Sequence, residues 1–359
     1  NLNKLLIRIL LHLQVEFSMK NKKVIYIVGS IVLLILIGVV ACKTLILNTP
    51  LKIEKAAYLY IDSDDNIDSV YTKLKKDFHA SGITGLRMLI SCSNYAENIH
   101  EGAYKLKPTD NTWHIFHQLK SGHQTPIRLT VPSVRTLGAL AKSVSRRLMT
   151  DSASIASLLN DSTYCSTLGY NQYTIPALFI PNTYEVYWTM SAEDFIKRMK
   201  KEHDRFWNKE RMEKAKSIGF TPEEVATLAS IVEEETANKA EKPMVAGLYI
   251  NRLHTGMPLQ ADPTVKFGLQ EFGLKRILHK HLETDSPYNT YKHAGLPPGP
   301  IRIPSIDGLE SVLNYAKHDY LYMCAKEDFS GTHNFAKSWN EHLANARRYQ
   351  RALNQRNIH

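Results

Sequence analysis

Cysteine is scarce: four occur in 359 residues, and no two form a CxxC pair. That excludes a disulfide-stapled scaffold and leaves no zinc-ribbon or dithiol redox motif. Cys92, Cys165 and Cys324 are widely spaced and odd in number, and read as structural or incidental. The GxSxG elbow, the P-loop, HExxH and the dinucleotide fingerprint are all missing. No cofactor or metal is expected. Acidic residues are in deficit, 35 Asp and Glu against 45 Lys and Arg, for a net charge of +10. The surplus admits polyanionic partners: nucleic acid, an anionic membrane or acidic glycans. No DNA- or RNA-binding motif accompanies it, so no nucleic-acid partner is expected. With 43% apolar and 22% charged residues, the chain has globular rather than disordered composition.

Charge is wholly missing from Val24 to Cys42, a run rich in Ile, Val and Leu on every side. As a helix it would span about 28 Å, close to the roughly 30 Å hydrocarbon core of a bilayer. Lys20, Lys22 and Lys23 precede it, so the positive-inside rule puts the N-terminus in the cytoplasm and everything beyond Lys43 outside. The expected location is the inner (cytoplasmic) membrane, with a single-pass anchor at 24–42. Met19-Lys20-Asn21-Lys22-Lys23 reads as a translation start, making 1–18 an upstream segment and 19–23 a cytoplasmic tail. Val39-Val40-Ala41-Cys42 also resembles a lipobox, but the length of the apolar run favours an uncleaved anchor. Residues 1–23 hold five Lys or Arg and one Glu, so part of the positive surplus is an orientation signal.

Beyond the anchor, two regions are expected. Residues 49–125 alternate β-prone runs (Ala57–Ile61, Glu101–Leu106) with helical ones (Ile67–Phe78, Trp113–Leu119), a small α+β module. Tyr104, Trp113 and Phe116 could contact sugar rings, though their spacing is that of core residues. His114 and His117 share a helix face without a third ligand, which argues against a metal. Residues 126–353 form the second region, with a strand from Thr125 to Thr130 and a helix over Val134–Leu148.

The most informative segment starts at Thr221-Pro222-Glu223-Glu224, a capping box with proline at the first helical position. Val225, Leu228, Ala229, Ile231 and Val232 then mark an apolar face. Three glutamates follow. At about 100° per residue, Glu235 falls some 50° from the centre of that face, whereas Glu233 and Glu234 fall over about 100° away, with Ala226, Thr227 and Ser230. A carboxyl on the apolar side loses hydration, its pKa rises, and it becomes a candidate general acid. Taken alone, three adjacent glutamates fit a solvated helix end, or Glu235 paired with an Arg or Lys, better than a general acid.

Pro/Gly-punctuated loops carrying amides, hydroxyls and tyrosines come next, groups suited to sugar hydroxyls and N-acetyl amides in a cleft. Ala229-Ser230-Ile231-Val232-Glu233-Glu234-Glu235-Thr236, Tyr249-Ile250-Asn251-Arg252-Leu253, Leu259-Gln260-Ala261-Asp262-Pro263-Thr264-Val265, Tyr288-Asn289-Thr290-Tyr291, Gly295-Leu296-Pro297-Pro298-Gly299 and His333-Asn334-Phe335 follow in order. With these motifs the chain resembles the MltG (YceG-like) family of endolytic murein transglycosylases, over roughly residues 175–350. It departs from the family pattern at Asn182, where Asp is usual, and at Ala261, where Thr is usual.

The resemblance implies an α+β chain: one transmembrane helix, a LysM-like module at 49–125, and a mixed α/β lytic transglycosylase domain at 126–353. It puts the catalytic role on Glu235, the residue also picked out by the helical-face argument. The expected glycan-binding positions are Asn251, Arg252, Gln260, Asp262, Thr264, Tyr288, Asn289, Tyr291, His333 and Asn334. The implied reaction is non-hydrolytic cleavage of MurNAc–GlcNAc β-1,4 bonds in nascent peptidoglycan strands, leaving a 1,6-anhydroMurNAc end beside membrane-bound synthases. Two alternatives stay open. One is a hydrolytic muramidase with Asp262 as its second carboxylate; the other is an anchored, non-enzymatic glycan-binding scaffold.

Overall fold

The computed structural model describes residue 7 and residues 22–47, 49, 51, 53–80, 82–274 and 276–356. Apart from Ile7, the expected upstream segment and the start at Met19 lie outside the described residues. Helix α1 (Lys22–Cys42) runs into a wider turn at Lys43–Leu47. Its stretch Val24–Leu45 has a mean hydropathy of 3.0 and is wholly unburied by the rest of the chain. With no polar face to offer water, this helix is long and apolar enough to cross a membrane, traits that a signal sequence shares.

The chain divides into two compact units, residues 1–125 and 126–359. In the first, β1 (Ala57–Ile61) leads to α2 (Ile67–Asp77) and α3 (Thr84–Ser91). Strand β2 (Gly102–Leu106) then pairs antiparallel with β1, Ala57 opposite Leu106, and α4 (Thr112–Lys120) follows. Asn66 and Asn111 cap α2 and α4 with side-chain acceptors. Leu59, Ile61, Leu74, Leu86, Tyr104, Leu106 and Ile115 fill the core. Residues just past α1 are already part of it: Leu51 and Ile53 are buried, and Thr49 O accepts from Thr112 N (3.0 Å) and Thr112 Oγ1 (2.7 Å). Of the three aromatics read as core, Tyr104 and Phe116 are buried, but Trp113 is 46% exposed. Helix α4 buries Thr112, Ile115, Phe116 and Leu119, so Trp113 points off that stripe. Among the described residues, no group of three or more His, Cys, Asp or Glu could hold a metal ion.

The second unit begins with β3 (Ile127–Val131), followed by α5 (Leu137–Ser145), α6 (Ser152–Asn160) and α7 (Ser162–Thr167). Strand β4 (Asn182–Val186) returns antiparallel to β3, with Ile127 opposite Val186. Helices α8 (Ala192–Phe206), α9 (Lys209–Ile218), α10 (Pro222–Glu235), α11 (Lys242–His254), α12 (Asp262–Leu269), α13 (His279–Leu282) and α14 (Ile306–Leu313) follow. The hairpin of β5 (Tyr322–Ala325) and β6 (His333–Ala336), then α15 (Trp339–Gln355), complete the unit. Helix α5 starts later than its apolar pattern predicts because the preceding residues are held elsewhere. Ser133 Oγ donates to Ile303 O (2.7 Å), and Ile303 N donates to Val134 O (2.8 Å).

Helix α10 is the centre of this unit. The expected capping box forms, with Glu224 N donating to Thr221 Oγ1 and Thr221 N to Glu224 Oε2. Burial extends beyond the expected apolar face: every residue from Val225 to Val232 is buried, including Ala226, Thr227 and Ser230. Their small side chains let distant segments close on the helix. Ile301 N donates to Ser230 Oγ (3.0 Å), and a Cβ on Gly308 of α14 would lie 2.9 Å from Glu233 Oε2.

Candidate active site

The three glutamates ending α10 have three different surroundings. Glu234 is clamped by two arginines: Arg135 donates through Nε (2.8 Å) and Nη2 (2.7 Å), and Arg302 through Nη1 (2.9 Å). Glu233 Oε2 accepts from Ser305 N at 2.8 Å. Both side chains therefore hold the fold and are largely shielded from solvent. Glu235 has no Lys or Arg hydrogen-bonded to it among the described residues; its Oε1 accepts from the Tyr249 hydroxyl of α11 at 2.9 Å. Burial pushes its carboxyl up to about 7. The Tyr249 bond opposes this, Asp262 adds to it, and His333 and Arg252 work against it.

Glu235 lies in an open cleft of about 220 Å³ with Tyr249, Arg252, Gln260, Asp262, Tyr291 and His333, against a wall of Met323, Cys324 and Ala325 from β5. Pockets that engulf a drug-sized ligand run to about 300–1,000 Å³, so a polymer would lie across this cleft rather than inside it. Arg252 is buried and fixed by donating from Nε to Leu321 O (2.7 Å) and from Nη1 to Leu259 O (2.6 Å). The Tyr291 hydroxyl donates to Asp262 Oδ1 at 2.6 Å. Gln260 takes a left-handed backbone conformation (φ 49°), unusual for a side-chain-bearing residue, at the mouth of α12. A larger cavity of about 370 Å³, bordered by Glu223, Thr227, Leu253 and Pro297, lies at the opposite end of α10, roughly 18 Å along the helix.

Of the expected glycan-binding positions, Arg252, Gln260, Asp262, Tyr291 and His333 share this cleft with Glu235. The others are used internally. Thr264 is fully buried, its Oγ1 donating to Ala261 O (2.7 Å) beside the Thr290 hydroxyl. Asn289, also fully buried, donates to Leu282 O (2.8 Å) and Thr284 O (2.9 Å). Neither can touch a ligand directly; each satisfies backbone groups of a loop that has no ladder of its own. Asn251 donates to His318 O (2.7 Å) and Tyr320 O (3.1 Å), while Asn334 donates to Glu327 Oε2 (2.7 Å). Tyr288 packs against Phe267 with ring centroids 4.6 Å apart.

Tyr249 and Glu241 were given no role by sequence reasoning. The one available signal was a tyrosine inside a fully buried helix segment, whose hydroxyl must find a partner. For Glu241, which bonds His333 across 92 residues, no local signal exists.

The chain is 39% identical over 166 residues to the endolytic murein transglycosylase of Bacillus subtilis, covering 46% of this chain and 45% of that protein. It is 28% identical over 300 residues to the endolytic murein transglycosylase of Streptococcus pneumoniae, covering 74% and 53%. The chain thus spans about half the length of the curated relatives it matches. The crystal structure of a YceG-like protein from Listeria monocytogenes superimposes with a TM-score of 0.54 at 28% identity, covering 81% of this chain and all but 1% of that one (99%). Residues 59–348 match the YceG-like family profile, and a match of that extent, on top of the motif order, places the chain in the YceG-like family.

Proposed function

We propose that this protein is a membrane-anchored endolytic lytic transglycosylase of peptidoglycan, with Glu235 as its acid and base. The observation that carries the reading is a carboxyl raised to about 7 in an open cleft, steadied by one phenolic donor. A group titrating near neutrality gives up and takes back a proton at comparable cost, as a residue serving both steps must. Protonated Glu235 donates to the oxygen of the MurNAc–GlcNAc β-1,4 bond as the bond breaks, and positive charge develops on the MurNAc ring. The Tyr249 hydroxyl then stabilises the carboxylate so formed. The carboxylate removes the proton of the MurNAc 6-hydroxyl, whose oxygen closes on C1 to give the 1,6-anhydro end and restores the acid. One carboxyl does both jobs, whereas hydrolytic glycosidases use a pair.

Asp262 shares the cleft, which keeps hydrolysis in view as the second reading, but its Oδ1 is already engaged by Tyr291. With α1 in the membrane and its N-terminus inside, the second unit works outside the cytoplasm, beside synthases, on newly made strands. Residues 49–125, two helices between paired strands, are read as a LysM-like module that binds glycan or orients the catalytic domain. Mass spectrometry of uncrosslinked strands digested by wild type and Glu235→Gln tests the reaction. Anhydro ends should appear with wild type and drop at least about 100-fold with the variant. Reducing MurNAc ends instead would make the enzyme a muramidase, and uncut strands would leave the scaffold reading.

A further inference from the structure

Glu241, immediately before α11, is buried (8% exposed), and no Arg or Lys pairs with it among the described residues. Its carboxylate accepts from Thr236 Oγ1 (2.8 Å), from the His333 backbone N (2.6 Å), and from His333 Nδ1, 2.9 Å from Oε2. Two of the three donors belong to His333, so both the strand and the ring are held by one carboxylate. A carboxylate at this position can only accept, which puts the proton of the neutral ring on Nδ1 and leaves a lone pair on Nε2. His333 lines the cleft with Glu235, and its Nε2 meets no hydrogen-bond partner among the described residues.

We infer that Glu241 is a positioning residue: it locks His333 with Nδ1 protonated, so that Nε2 offers the cleft a fixed acceptor for a sugar hydroxyl. The inference rests on the glycan-cleaving reading above. The 6-hydroxyl gives its single proton to Glu235, so the lone pair on Nε2 serves another hydroxyl of the bound strand, and holding that sugar aims the reacting oxygen. Arg252 only donates, whereas Asp262, with Oδ1 accepting from Tyr291, still has acceptor capacity in the cleft. Gln260 adds an amide oxygen, but among these cleft residues His333 is the one braced by the buried Glu241 carboxylate. The same bonds account for Thr236 at the end of the α10 motif, since its hydroxyl fixes the Glu241 oxygen that faces the ring.

The test combines tautomer and kinetics. Nitrogen-15 histidine spectra at pH 8.5, with the His333 signals assigned by their loss in His333→Gln, should show the Nδ1–H form in the wild type. A Nε2–H form there overturns the inference without any variant. Glu241→Gln keeps the shape but cannot accept from both the strand N–H and Nδ1–H. It should move His333 toward the Nε2–H form and lower kcat by about 10- to 100-fold, with KM changed by no more than about twofold. The loss in Glu241→Gln, His333→Gln and the double variant should be the same, because one residue acts through the other. Losses that multiply, or a fall in kcat with the tautomer unchanged, would leave Glu241 as a fastener of β6 only. Wild type that cuts no strands would sink the functional reading, while the wild-type spectrum would still decide who holds His333.

Discussion

Glu235 binds a proton more tightly in the folded chain than in the unfolded one, and that has a sign. Its folded value of about 7 exceeds the ordinary 4.5, so between these limits the native state holds the extra proton and stability falls as pH rises. By about pH 8 the loss amounts to roughly 3 kcal/mol. Glu235→Gln, which cannot ionise and still accepts from Tyr249, should therefore melt higher than wild type at pH 8 and almost level with it at pH 4.5. Thermal unfolding at the two pH values checks this, and equal gains at both would contradict it. Tyr249→Phe removes a donor that favours the ionised carboxylate. The alkaline limb of kcat/KM should move to higher pH in that variant; a limb that stays put would show that Tyr249 does not set the acidity.

At the scale of elements, α10 depends on partners far away in sequence. Glu234 joins it to Arg135 before α5 and to Arg302 in the loop before α14, while Arg302 also donates to Ser133 Oγ (2.8 Å). Glu234→Ala strips the acceptor from two guanidinium groups, and urea unfolding should show a loss of about 1–3 kcal/mol. Arg135→Ala should cost less, because that side chain is 46% exposed. The start of α10 was legible in the sequence because a capping box and proline are local signals. Helical phase singled out Glu235, but with Val225 to Val232 buried all round, its distinct surroundings come from Tyr249 and the cleft and not from phase. The burial of Thr227 and Ser230 was not legible, because it depends on Ile301 and α14, which arrive some 70 residues later. Nor could a pattern of loop amides show that Thr264 and Asn289 turn inward while Gln260 and Tyr291 face the cleft. Backbone groups without a sheet ladder took the nearest donors, and only the folded loop decides which those are.

At the scale of the whole molecule, the apolar helix and the two units make a prediction about sidedness. Cys92 is exposed in the first unit, beyond α1. In cells whose envelope admits small reagents but whose membrane is intact, a membrane-impermeant maleimide should label Cys92, and a Cys92→Ser variant should lose that signal. Labelling only after lysis would invert the proposed topology. The pair of hydrogen bonds from Thr112 to Thr49 then has a kinetic meaning. The wider turn after α1 ends at Leu47, and by Thr49 and Leu51 the chain is already fastened into the first unit, so α1 is joined to it with almost no leash. With α1 in a bilayer, that unit diffuses in a plane instead of a volume. On the proposed reading it would meet chains emerging at the membrane surface sooner than those in older layers of the wall, a preference for young material set by the length of a linker rather than by recognition of age.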